Sequence, residues 1–90
     1  MNLNDVLDHI SKNKKIKIER VGDNDVRVFI KIDGMTDILR IYPKTKTAEF
    51  LDIEEEWEEL IGAVEAKYKN FSEIKVLVAY LNANKYDIIF

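Results

Sequence analysis

At 90 residues, with 47% apolar and 34% charged side chains, the chain has material for one hydrophobic core and not for two, so residues 1–90 read as a single domain. Three glycines, one proline and no cysteine exclude a disordered chain, a disulfide scaffold and thiolate metal sites; stability has to come from packing, in keeping with a reducing intracellular compartment. The formal charge of -3 conceals a split, because residues 1–47 carry ten Lys or Arg against seven acids and residues 48–90 carry four against ten, an asymmetry that suits a surface meeting charged partners.

Taken in chain order, Leu3, Val6, Leu7 and Ile10 fall at i, i+3, i+4 and i+7, which predicts a helix with Asn2 as its N-cap and Asn13 near its end. From Lys15 the period changes to two: Ile16 and Ile18 alternate with Lys15, Lys17 and Glu19, the mark of a strand with one buried face. Gly22-Asp23-Asn24-Asp25 supplies a turn, after which Val26, Val28, Ile30 and Ile32 carry the apolar face of a second strand and Arg27, Phe29 and Lys31 its other face. Asp33-Gly34 breaks that strand. A third runs from Asp37 to Tyr42, burying Leu39 and Ile41, exposing Arg40 and Tyr42, and stopping at Pro43. Thr47 to Leu51 reads as a short fourth strand.

Asp52, with Glu55 three residues on, resembles a capping box, and Ile53, Trp57, Leu60, Ile61, Val64 and Tyr68 keep helical spacing, which predicts a helix starting after Asp52. A last segment opens at Ser72, with Phe71 and Val76 placed as a hydrophobic staple and Ile74, Leu77, Val78 and Leu81 at helical spacing; helix is favoured, although the alternation of Ile74, Val76 and Val78 also allows a strand over Ile74 to Tyr80. The tail Tyr86 to Phe90 is too apolar to stay in water and is expected to tuck against the core or add an edge strand. The expected fold class is α+β: an antiparallel three- to four-stranded sheet with helices packed on one face, in the order α-β-β-β-(β)-α-α. The opening residues lack the basic and apolar regions of a signal peptide, and the longest apolar run, Val76 to Leu81, falls far short of the roughly 20 residues that span a bilayer. No membrane association and a cytoplasmic location are expected.

Catalysis has little to work with. His9, beside Asp8 and one turn from Asp5, is the only histidine and reads as a solvent-facing helix residue; no metal site, cofactor or catalytic residue is expected. Ser11 and Ser72 lack a nucleophile-elbow context, the glycines are isolated, and the carboxylates Glu54, Glu55, Glu58 and Glu59 share one solvated environment instead of the two that acid–base work needs. The chain reads as a non-enzymatic binding protein.

Two surfaces are candidates. Acids from Asp52 to Glu59 crowd one helix start, where the dipole favours them, yet the pairs Glu54/Glu58 and Glu55/Glu59 set like charges one turn apart, a cost of about 0.2–0.5 kcal/mol each that a sequence chosen for stability alone would avoid. That excess points to a basic partner. The second surface is the sheet face away from the helices, where Lys15, Lys17, Arg27, Phe29, Lys31, Arg40 and Tyr42 would attract phosphates and stack unpaired bases. A third option is a homodimer joined through Ile38, Tyr42 and the Ile88-Ile89-Phe90 tail.

The opening Met1-Asn2-Leu3-Asn4-Asp5-Val6-Leu7, with Ile10, Lys12 and Lys14, resembles the first helix of small phage-encoded anti-CRISPR inhibitors of the Cas9 nuclease, and the element order is similar. The resemblance implies a cofactor-free, stoichiometric inhibitor that mimics duplex DNA with carboxylates and occupies the arginines that read the PAM. Asp33, before Gly34, matches an acidic residue in the loop between the second and third strands, and Asp37 is a looser match. The chain departs from the family where an acidic link joins the last two helices: here Lys67-Tyr68-Lys69-Asn70-Phe71-Ser72 precedes a single acid, Glu73. The expected partner is therefore a basic, nucleic-acid-binding protein such as a CRISPR effector, met by Asp33, Asp37, Glu54, Glu55, Glu58 and Glu59, with direct nucleic-acid contact reserved for the basic sheet face. The order α-β-β-β-α also resembles a double-stranded-RNA-binding domain, but that family opens its last helix with lysines on phosphates and this one would open with Glu54-Glu55-Glu56, which would repel them.

Overall fold

The apolar stripe at the N-terminus becomes helix α1, Leu3–Ile10, in a computed structural model that describes residues 1–53 and 59–89. Its start is held by a reciprocal cap: the Asn2 side chain accepts from the Asp5 amide at 2.9 Å and the Asp5 carboxylate accepts from the Asn2 amide at 3.0 Å, so two otherwise orphaned donors are satisfied. Val6, Leu7 and Ile10 are buried, and His9 faces solvent.

The period-two segments form strands β1 (Ile16–Gly22), β2 (Asp25–Lys31), β3 (Met35–Tyr42) and β4 (Thr47–Phe50), joined antiparallel in chain order. Asp23-Asn24 makes the first tight turn. Asp33 and Gly34 make the second with backbone φ of 53° and 113°, a left-handed pair that an Asp before a Gly accommodates. The alternation places Ile32 on the buried face, but β2 ends at Lys31 and Ile32 stands 49% exposed at this turn.

Between β2 and β3 the register shifts: Val28 pairs with Leu39, whereas Phe29 pairs with Asp37, so Ile38 is an extra residue on β3. Strict alternation would turn Ile38 outward with Arg40. The bulge instead folds it into the core beside Leu39, both at 0% exposure, and its carbonyl accepts from the Leu51 amide at 3.0 Å. Ile38 is therefore removed from any homodimer surface.

The helix expected from Asp52 does not start there. Ile53 is non-helical and Glu59 is extended at φ -132°, ψ 117°; helix α2 spans Leu60–Lys67, without a side-chain cap. Glu54, Glu55, Glu56, Trp57 and Glu58, with the second half of the presumed capping box, lie outside the described residues. Helix α3, Ser72–Ala83, buries the expected stripe of Ile74, Leu77, Val78 and Leu81. The Phe71–Val76 staple is absent, since Phe71 is itself the N-cap and buried whereas Val76 is 41% exposed.

The exit from α3 was not legible in the sequence. Lys85 takes a φ of 61°, the Tyr86 amide donates to the Leu81 carbonyl at 3.0 Å and the Lys85 amide to that of Asn82 at 3.2 Å, a Schellman closure with lysine where glycine is usual. It turns the chain so that the tail adds the edge strand expected of it, Asp87–Ile89 forming β5 against β4. This pairing is parallel, reached through the α2–α3 crossover, so the sheet is mixed and five-stranded instead of antiparallel with three or four strands. Lys46 Nζ lies 4.9 Å from the Tyr86 ring centre, a cation–π contact over this junction.

The three described helices share one hydrophobic cluster with the inward side chains of the sheet: Ile16, Val26, Val28, Ile30, Leu39, Ile41, Ala48 and Phe50 meet α1, α2 and α3. The α+β class and the single layer of helices follow the expected pattern, and the opposite face of the sheet carries no helix among the described residues. None of the described helices is long and apolar enough to cross a membrane.

Candidate functional site

The uncovered face is built by the residues that alternate with the core. Lys17 stands opposite Phe29, Glu19 opposite Arg27, Arg27 opposite Arg40 and Arg40 opposite Glu49, so one row across four strands reads Glu19, Arg27, Arg40, Glu49. Two guanidinium groups directly opposite on a sheet repel each other, and a face selected only for stability would avoid the arrangement. Each is held by a carboxylate from its own strand: Arg27 Nη2 donates to Asp25 Oδ2 and Arg40 Nη2 to Asp37 Oδ2, both at 3.3 Å. The hydrogen bond to Asp37, above all, holds the Arg40 guanidinium above its already high ordinary value.

The array has an approximate two-fold axis between Arg27 and Arg40, normal to the sheet. Antiparallel pairing about this point carries Arg27 onto Arg40 and Phe29 onto Tyr42, and the flanking Glu19 onto Glu49. Asp25, two residues before Arg27, corresponds to Asp37, three residues before Arg40, only because Ile38 adds one residue in between. The bulge thus puts Asp37 on the same face as its arginine.

Both ion pairs use one donor and one acceptor. Arg27 Nε, Arg40 Nε, Asp25 Oδ1 and Asp37 Oδ1 are hidden from solvent without a hydrogen-bond partner among the described residues, so neither pair is the parallel two-bond fork that arginine and carboxylate can form. The four side chains are between 24% and 35% exposed, which leaves their outer edges reachable from above the sheet.

The sequence-predicted residues are distributed as follows. Lys17, Arg27, Phe29, Lys31, Arg40 and Tyr42 share the uncovered face as expected, with Lys15 exposed just before β1, and Lys17 Nζ caps the Phe29 ring at 6.0 Å from its centre. Their field is not purely basic, because Glu19, Asp25, Asp37 and Glu49 are interleaved with them; only Glu19 was visible in the sequence as an interruption. Of the acidic set, Asp37 lies in this array, Asp33 is exposed at the left-handed turn and Glu59 is exposed at the start of α2. Glu54, Glu55 and Glu58 lie outside the described residues. Asp25, which with Glu49 completes the array, shares with Asp37 the repeated spacing Asp-x-Arg-x-Phe and Asp-x-x-Arg-x-Tyr, whereas no such repeat marks Glu49.

The remaining described ion pairs are peripheral: Arg20 with Asp8 at 3.7 Å, Lys44 with Asp23 at 3.4 Å and Lys67 with Asp52 at 3.0 Å, all on exposed side chains and each worth at most about 1 kcal/mol. The described residues hold no group of three or more His, Asp or Glu placed to bind a metal ion. Compared with known proteins, the chain matches no family, no curated protein and no solved structure.

Proposed function

We propose that this chain is a non-enzymatic interaction protein that docks a basic protein partner on the uncovered face of its sheet. The observation that carries the reading is the set of four carboxylates, Glu19, Asp25, Asp37 and Glu49, disposed about two side-by-side arginines. The arginines act as positioning groups: they hold Asp25 and Asp37 in one conformation in the free protein, so less side-chain freedom is lost when a partner's cations arrive. Acids outnumber cations at the centre, which favours a cationic counterpart and speeds its encounter. The same carboxylates repel a phosphate backbone, and this sets the reading above direct nucleic-acid binding by Lys17, Phe29 and Arg40. Face-to-face pairing of two copies in register would set arginine against arginine or glutamate against glutamate, so the array is poorly suited to a homodimer.

The acidic excess of residues 48–90 and the resemblance of the first helix to anti-CRISPR proteins support a narrower form of this reading. In that form the chain is a phage-type inhibitor acting in the host cytoplasm, and the partner is a nucleic-acid-handling protein whose phosphate-binding groove the carboxylates occupy, with Asp33, Glu54, Glu55, Glu58 and Glu59 extending the contact. The test is affinity for an arginine-rich peptide at rising salt, compared with the Asp37→Lys and Glu49→Lys variants. Binding that weakens with salt and is lost in both variants, with their folds intact by circular dichroism, supports the assignment. Equal affinity of parent and variants overturns it.

A further inference from the structure

A second feature lies at one end of the molecule, where the α1–β1 turn, the start of β1, the β2–β3 turn and the α2–α3 turn converge on a cleft lined by Asn13, Lys15, Lys31, Asp33, Asn70 and Phe71 among others. Lys15 and Lys31 are neighbours across the strands, the Lys31 amide donating to the Lys15 carbonyl at 2.8 Å, and both are exposed. Two lysines side by side are, like the arginines, an arrangement that costs stability in the free protein. The arginines have carboxylates to hold them; among the described residues neither Lys15 nor Lys31 is in an ion pair. Lys12, Lys14 and Lys69 are sequence neighbours of the lining residues Asn13, Lys15 and Asn70.

The wall of the cleft is organised. Asn13 is fixed from both sides: its Nδ2 donates to Glu73 Oε1 at 3.1 Å and its Oδ1 accepts from the Lys15 amide at 2.9 Å. Glu73 is thereby engaged with an amide, and Phe71 closes the floor at 9% exposure. Among the described residues, the one carboxylate lining the cleft is Asp33, exposed at the left-handed turn on its rim.

We infer that this cleft is a phosphate-binding site, in which Lys15 and Lys31 neutralise the anion and the exposed Asn70 supplies an uncharged donor. The site is separate from the sheet-centre array and does not depend on the function proposed for that array. Its ligand is a phosphate group, carried either by a small phosphorylated molecule or by a nucleic-acid strand.

The experiment is an amide-resolved NMR titration of the intact protein with pyrophosphate at low salt. The expected result is a saturable shift confined to Asn13, Lys15, Lys31, Asn70, Phe71 and their neighbours, weakened about tenfold by Lys15→Gln or Lys31→Gln, the loss expected for one charge-assisted hydrogen bond. Asp33→Asn should bind more tightly. Lys75→Gln and Lys85→Gln, exposed lysines elsewhere, should bind like the parent. Competition by an unphosphorylated single-stranded oligonucleotide would identify backbone phosphate as the source, and failure to compete a small phosphate ester; either outcome supports the site. Non-saturating shifts at lysines over the whole surface, or equal loss in the Lys75 and Lys85 controls, would overturn it.

Discussion

The position of Ile38 decides whether Asp37 can belong to the arginine array, and two isoleucine-to-alanine variants test it. Simple alternation along the strands buries Ile32 and exposes Ile38; the bulge turns Ile38 inward to 0% exposure, and Ile32, beyond the end of β2 at Lys31, stands 49% exposed at the turn. The three carbons lost in Ile38→Ala are worth about 2.4 kcal/mol at about 0.8 kcal/mol each, and the unrelaxed cavity adds to this, giving about 2–5 kcal/mol. For a domain of this size, each kcal/mol moves Tm by roughly 4–8 °C, so a fall of about 10 °C or more is expected. Ile32→Ala, half of whose side chain is already in water, should cost less than about 1 kcal/mol. Urea unfolding followed by circular dichroism gives both values, and an unchanged m would show that the compactness of the unfolded chain is not responsible. An Ile38→Ala variant within about 0.5 kcal/mol of the parent, with the larger loss in Ile32→Ala, would refute the bulge and with it the placement of Asp37 beside Arg40.

Tyr68 is buried against Phe50, ring centres 6.5 Å apart, and its hydroxyl finds no partner among the described residues; Tyr68→Phe should therefore raise stability by about 1 kcal/mol in chemical denaturation. Burial pushes the ionisation of Tyr68 and Tyr86 above the usual value of 10.0, so the unfolded chain releases these protons first. The resulting stabilisation is complete below about pH 10 and is lost as pH rises through the folded-state values, and a urea series across that range should show a shallower alkaline decline in Tyr68→Phe. Lys85→Gly should gain a few tenths of a kcal/mol up to about 1 kcal/mol in thermal melts, because glycine adopts the left-handed cap more readily than lysine does. Asn2→Ala, which removes one half of the α1 cap, should cost about 1 kcal/mol by the same measurement.

Where apolar spacing and turn chemistry agreed, the fold was legible: α1, the β1–β2 hairpin, β4 and the inner stripe of α3 all stand where the sequence places them. Two of the misplacements, the bulge at Ile38 and the parallel pairing of β5, share a physical cause, in that pairing with a neighbouring strand outweighed a local pattern. Nothing in Asp37-Ile38-Leu39 marks a bulge, because both isoleucine and leucine suit either face until the partner strand sets the register. The helical spacing starting at Ile53 is not matched at the described residues, since Ile53 is non-helical, Glu59 is extended and α2 spans Leu60–Lys67, whereas residues 54–58 lie outside the described residues. Lys85 hides the turn into β5 because a lysine rarely takes a positive φ, and the parallel pairing that follows depends on a crossover no short window can reveal. The basic half of the candidate face was readable strand by strand. Of its carboxylates only Glu19 is legible that way, since Asp25 sits in a turn motif, Glu49 in the shortest of the first four strands, and Asp37 reaches the face only through the bulge.

The central claim is that the carboxylates ringing Arg27 and Arg40 receive a cationic partner. Its most direct test is to map, residue by residue, the amide shifts caused by an arginine-rich peptide on the intact protein. The expected map centres on Glu19, Asp25, Asp37 and Glu49, with Arg27 and Arg40 moving in step and the whole pattern fading as salt is added. Shifts confined to residues 52–59, or none on β2 and β3, would contradict it.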